Sequence, residues 1–228
     1  MNGNADHNAG KFLRSATFGI NDGIVSTLAL ISGLDGALIA TRVIIISTLV
    51  ELFAGAFSMA AGTYISSKSQ SEFYRRALRD EEQDIRHPRR ERQHLLKIYR
   101  EKGLRGKELK STVNKILSNK HILRDVMAAE EVGVSEKGFT SPWKEGAVMF
   151  FSFLFAGVLL LIPYVFPIAA SAFRVSTLIG LTALFGAGVL KTHFTKRPAM
   201  KSGVETLVIG IIATVVSHML GELIHTFV

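Results

Sequence analysis

The chain contains no cysteine. That excludes disulfides, thiolate metal sites and a cysteine nucleophile. No Gly-x-Ser-x-Gly is present and no serine and histidine are spaced as a hydrolytic pair, so nothing supports an intramembrane protease. The opening segment, MNGNADHNAGKFLRSA, lacks a compact apolar stretch ahead of a small-residue cleavage site. The first hydrophobic run is therefore expected to be retained and to act as its own insertion signal.

Charge is also missing from most of the chain. Residues 67–145 hold 32 charged side chains, 19 basic and 13 acidic, whereas the other 149 positions hold only 14. Those other positions read as long apolar runs interspersed with Gly, Ala and Ser. A bilayer core of about 30 Å needs about 20 apolar residues in a helix, and five stretches qualify: 12–34, 42–66, 146–167, 172–190 and 204–228. Asp35-Gly36, the segment Pro163 to Pro167, and Thr195-Lys196-Arg197-Pro198 separate them. The expected fold class is an all-α membrane protein of five transmembrane helices with a cytoplasmic helical insertion between spans two and three. The expected division is a tail over 1–11, spans one and two over 12–66, a metal-binding helical domain over 67–145, and spans three to five over 146–228.

The net charge of +8 would suit nucleic acid, but its distribution follows topology instead. Lys11, Arg14, the 19 basic residues of the insertion, and Lys191, Lys196, Arg197 and Lys201 fall on one side of a five-span arrangement. Arg42 and Arg174 alone fall on the other, so 25 of 27 positive charges mark the cytoplasmic face by the positive-inside rule. The N-terminus and the insertion are expected there, with no nucleic-acid partner. Within the insertion, helical spacing runs over 67–86 and is broken by Pro88. It resumes over 91–102 through Leu95, Ile98 and Tyr99 and stops at Gly103. Two further short helices are expected over 109–117 and 122–132.

Ionisable groups at bilayer depth are costly and mark functional positions. Asp22, in Gly19-Ile20-Asn21-Asp22-Gly23, lies about ten residues into span one. Its Gly and Asn neighbours would let the helix loosen and offer carbonyl ligands, as in the broken helices of transporters. The plainer alternative is that the span begins later and Asp22 caps it. In span two, Glu51, Gly55, Ser58, Met59 and Gly62 share one helical face, so a carboxylate and a thioether point the same way about two turns apart. Such a face suits a cation pathway, or a close helix contact with methionine as filler. In span five His218 and Glu222 are i, i+4 neighbours able to relay protons or to pair with each other.

The insertion carries three acidic clusters: Asp80 to Asp84, Glu91 to His94, and Met127 to Glu131. Glu81 with Asp84, and Glu91 with His94, are i, i+3 pairs that project two ligands from one face. Glu-x-x-His recurs in helical di-iron proteins, while a solvated charged face produces such spacings by chance. Glu130 and Glu131 complete the candidate metal set. Oxygen ligands with one imidazole are compatible with Fe²⁺, Mn²⁺ or Zn²⁺.

These motifs resemble the vacuolar iron transporter family from Phe12 to the end of the chain. The carriers are Asn21-Asp22-Gly23-Ile24-Val25, Glu51-Leu52-Phe53-Ala54-Gly55-Ala56-Phe57-Ser58-Met59 with Gly62 and Tyr64, and the charged insertion. Leu161-Ile162-Pro163-Tyr164 and Gly186-Ala187-Gly188-Val189-Leu190-Lys191 add to them. The resemblance implies a homodimer in the vacuolar membrane of a eukaryote or the plasma membrane of a prokaryote. It would move Fe²⁺ and related ions out of the cytoplasm against protons, with no resident cofactor and no enzymatic activity. It assigns the pathway to Asp22, Glu51 and Met59 at the dimer interface, and metal capture to Glu81, Asp84, Glu91, Met127 and Glu131. His94 stands where the family pattern has Glu, and Ala128 occupies another Glu position. The competing readings are a membrane-anchored di-iron ferroxidase built on Glu91 and His94, and a metal-binding scaffold that transports nothing.

Overall fold

The computed structural model describes residues 3–84, 88–119, 140–166 and 172–227, together with residues 122, 123, 126, 127 and 130. It is helical throughout these segments: α1 (Gly3–Gly36), α2 (Thr41–Asp84), α3 (Pro88–Glu101), α4 (Gly106–Leu117), α5 (Pro142–Val165), α6 (Ala172–Leu190), the single turn α7 (Thr192–Thr195) and α8 (Ala199–Phe227). The chain divides into two compact units, Ala9–Ile65 with Ser141–Val228, and Met1–Asn8 with Ser66–Thr140.

Among the described residues, five helices are long and apolar enough to cross a membrane. They lie over Gly10–Gly36, Thr41–Arg76, Pro142–Val165, Ala172–Leu190 and Ala199–Phe227. Their surfaces are inverted relative to a water-soluble bundle: Phe53, Phe57, Phe151, Phe155, Ile212, Val216, Met219 and Leu223 are all exposed. In water such an apolar surface would drive aggregation; in lipid it needs no cover. The interior is correspondingly built from small residues. On α6 the buried positions are Ala172, Ser176, Gly180, Leu184 and Gly188, every fourth residue. On α8 they include Ser202, Thr206, Gly210 and Thr214, again every fourth. Those two stripes let the backbones approach, as membrane helices require when lipid is as apolar as their side chains.

Hydroxyls then bond across helices. Ser176 Oγ donates to the Leu160 carbonyl at 2.8 Å, Thr206 Oγ1 to Leu184 at 2.9 Å, and Ser32 Oγ to Thr214 at 2.8 Å. The apolar core draws Ile24, Leu28 and Ile31 from α1, Leu52 and Ala56 from α2, Phe153 and Leu160 from α5, and Leu184 from α6.

Three boundaries differ from the sequence reading. Span three begins at Pro142 rather than near residue 146, because proline at the first helical position has no donor to lose. Pro163, expected in the connection, lies inside α5 near its end; so close to the terminus it leaves only one carbonyl without its helical donor. Finally α1 is continuous from Gly3 to Gly36 and does not loosen around Asp22.

In the smaller unit, α2 continues beyond the apolar run to Asp84, and α3 begins at Pro88. Gly103 ends α3 with φ +96°. Leu104 N–H donates to the Tyr99 carbonyl and Gly103 N–H to Arg100, both at 3.0 Å, the paired bonds of a Schellman stop. Leu95 from α3, Leu109, Val113 and Ile116 from α4, and Leu123 and Met127 form its own core.

Candidate functional site

The polar residues of α1 and α2 meet inside the larger unit. Asp22 lies mid-helix, many residues from either end of α1, so the helix-cap alternative fails. The flanking glycines serve packing instead of loosening. A Cβ on Gly19 would stand 3.0 Å from the Met149 carbonyl oxygen, and one on Gly23 would stand 2.5 Å from that of Phe153. These notches press α1 onto α5 and hold Asp22 at a set depth.

Glu51 is half-buried on α2. Asp22 and Ser26, one turn apart on α1, are the polar groups that act on its carboxylate. Neither Glu51 Oε2 nor Ser26 Oγ has a well-formed hydrogen bond among the described residues, and the same holds for Asn21 Oδ1, Thr27 Oγ1 and Thr48 Oγ1. Buried polar atoms are ordinarily satisfied. Of these, Glu51 Oε2 and Ser26 Oγ, with Asp22 acting on the same carboxylate, form a polar seam between α1 and α2 with unused acceptor capacity. Two carboxylates in that seam suit a hard or borderline divalent cation and its water.

Glu51 Oε1 also lies 3.3 Å from where a Gly55 Cβ would sit, beside the Phe153 ring that fills the space the glycine leaves. Met59 is half-buried two turns along α2 and packs against the apolar core. Sequence reasoning named Asp22, Glu51 and Met59 as candidates but not Ser26, which acts on the Glu51 carboxylate. Ser26 is i+4 from Asp22, so helical spacing from that acid would have found it.

A cavity of about 490 Å³ opens elsewhere in this unit, lined by Arg14, Asn21, Lys191, Glu205 and Thr206 among others. Two cations in its wall make it a poor route for a divalent ion. Its fixed charge also gives Lys191 and Glu205 a location beyond topology.

The insertion residues are placed less compactly. Glu91 is buried in the first turn of α3, and His94 is exposed one turn on. Met127 is 1% exposed within the apolar core, and Glu130 pairs with Lys102. Glu81 and Asp84 lie in the last turn of α2, their side chains outside the described residues, as are Ala128 and Glu131. Among the described residues no three His, Cys, Asp or Glu side chains converge on a point.

Comparison with known proteins bears on this arrangement. Vacuolar iron transporter 1 of Arabidopsis thaliana is 29% identical over 219 residues, covering 95% of this chain and 88% of that protein. The vacuolar iron transporter of Centaurea cyanus is 31% identical over 218 residues, covering 94% and 89%. That of Plasmodium berghei (strain Anka) is 32% identical over 225 residues, covering 94% and 82%. A profile of the VIT family matches residues 13–222, and the chain, with its five apolar helices and its carboxylates on α1 and α2, belongs to that family.

Proposed function

We propose that this protein transports divalent metal ions, Fe²⁺ foremost and Mn²⁺ or Zn²⁺ by the same ligand chemistry, out of the cytoplasm. The observation that carries the reading is the mutual approach of Asp22 and Glu51 in a seam of unsatisfied polar atoms. Family membership and the vacuolar iron transporters among the relatives supply the metal.

Ion and proton compete for the same carboxylates, because a metal ligand must be deprotonated. Exchange of Fe²⁺ for protons arriving from the far side follows from that competition. The insertion lies in the cytoplasm with the N-terminus, where the basic residues place it. There Glu81, Asp84, Glu91, His94, Glu130 and Glu131 concentrate metal before translocation, and Met127 holds the helices that present them. Ser58 and Gly62, small and exposed on α2, give a second copy a face to approach, so that two copies of Asp22, Glu51 and Met59 line one path.

The ferroxidase alternative lacks comparable support, since the insertion holds a single Glu-x-x-His, Glu91 with His94, and no second one to pair with it. The test is Fe²⁺ uptake into sealed liposomes. Asp22→Ala and Glu51→Ala should each abolish uptake while the protein stays folded and dimeric. Wild-type rates in either variant would overturn the pathway, and metal binding without flux in the unmodified chain would favour the scaffold.

A further inference from the structure

The last turn of α1 holds a second polar cluster that the metal path does not use. His218 on α8 places Nδ1 3.1 Å from the carbonyl oxygen of Ser32. A carbonyl can only accept, so Nδ1 carries the proton and Nε2 is the nitrogen left to bind one. Nε2 lies 3.6 Å from Glu222 Oε1, one turn further along α8. That is too long for a hydrogen bond but within reach of an ion pair.

Groups from three other helices act around the ring. From α1, Asp35 acts electrostatically on His218. From α5, Tyr164 stands beside Asp35. From α6 comes Phe173, its ring stacked on the imidazole at 5.5 Å and 12°; its neighbour Arg174 is exposed. Two carboxylates and an aromatic face therefore surround an imidazole whose tautomer is already set.

The backbone here is closely packed. A Cβ on Gly33 would stand 3.3 Å from the Ser217 carbonyl oxygen, Gly221 abuts the Gly33 carbonyl, and Gly36 abuts that of His218. A charge appearing on His218 is thus felt by α1, the helix that carries Asp22 and Ser26.

We propose that His218 is a proton-binding site at the end of the bundle where the last turn of α1 meets α8, the non-cytoplasmic end by the distribution of basic residues, taking its proton at Nε2 and holding it against Glu222 and Asp35. This rests on the transport reading above and adds to it the group through which the acidity of the receiving compartment acts. Neutral His218 is the state at high pH on that side; imidazolium is the state at low pH.

The experiment uses the full chain in liposomes under a fixed Fe²⁺ gradient, with lumenal pH varied from about 8 to about 5. In the wild type, the profile should contain a step from the imidazole on top of the proton dependence of exchange at the carboxylates. His218→Gln should keep the flux seen at high pH and lose that step alone. Glu222→Gln should move the midpoint to lower pH, because the imidazolium loses a partner. An unaltered pH profile in His218→Gln would overturn the proposal while leaving transport intact; absence of iron flux in the wild type would instead sink the transport reading. Nitrogen-15 NMR of His218 in the solubilised chain supplies an independent check. It should show an Nδ1–H tautomer at high pH, and an Nε2–H tautomer would overturn the assignment whatever the flux.

Discussion

Phe153 of α5 closes on Gly55 of α2 so tightly that a methyl group added to the glycine would stand 2.8 Å from the ring's Cζ. The same residue's carbonyl oxygen faces Gly23 of α1 at 2.5 Å from an added Cβ. One buried phenylalanine therefore sets the separation of the two helices that carry Asp22 and Glu51. Its grip on α2 is through a ring that can shift, and its grip on α1 is through backbone that cannot. Gly23→Ala should accordingly be the more damaging change, costing about 1–3 kcal/mol of overpacking, with Gly55→Ala at the low end of that range. Thermal unfolding of the detergent-solubilised protein checks the order; equal losses would contradict it.

Replacing Glu51 by Gln keeps the shape and removes the charge. Loss of even an outer partner of a metal ligand costs roughly 10–100-fold in affinity, so a direct carboxylate should cost at least as much. Fe²⁺ uptake by Glu51→Gln should fall by that factor or more, with no change in the folded fraction recovered.

Metal binding should weaken as pH falls. Each proton displaced by the ion changes the apparent affinity by about tenfold per pH unit across the range where the ligands titrate. Isothermal titration of the solubilised protein should show that slope, and Glu51→Gln should lower it by one proton. A slope unaffected by the substitution would remove Glu51 from the ligand set.

Leu38, in the turn after α1, adopts φ +55°. Ile39 N–H donates to Leu34 and Leu38 N–H to Asp35, so Leu38 occupies the left-handed position of a Schellman stop where glycine is usual. A side chain there costs roughly 1–2 kcal/mol, partly offset by the entropy glycine loses on folding. Leu38→Gly should raise stability by about 0.5–1 kcal/mol, read as a higher melting temperature.

Leu95 is fully buried in the core of the insertion with Val113 and Met127. Leu95→Ala should cost about 2–5 kcal/mol there. Limited trypsin digestion of the full chain should show faster cleavage within 88–127, with the apolar helices left protected.

The five apolar runs and the presence of Asp22 and Glu51 within two of them were legible in the sequence. Span length and helical spacing are local properties, and an acid in an apolar run is conspicuous wherever its neighbours lie. Residues 172–190 were delimited to the residue, because the segments flanking that run contain Pro167 and Lys191. Pro163 was misread as a connection, since sequence alone does not say on which side of a helix end a proline falls. Gly19 and Gly23 were misread as loosening points for a similar reason: glycine's freedom is visible in the sequence, whereas the carbonyl that fills its missing side chain is not.

The sequence by itself determined a helical protein of the membrane with an acid within each of two spans, because hydrophobic length and the cost of burying charge act on each segment alone. Only the tertiary structure decided that Asp22 and Ser26 of α1 act on Glu51 of α2, that Phe153 spaces the two helices, and that His218 closes onto Ser32 186 residues away. Those relations depend on which backbones come within van der Waals contact, and small residues recurring along several helices permit many pairings until the whole bundle is packed.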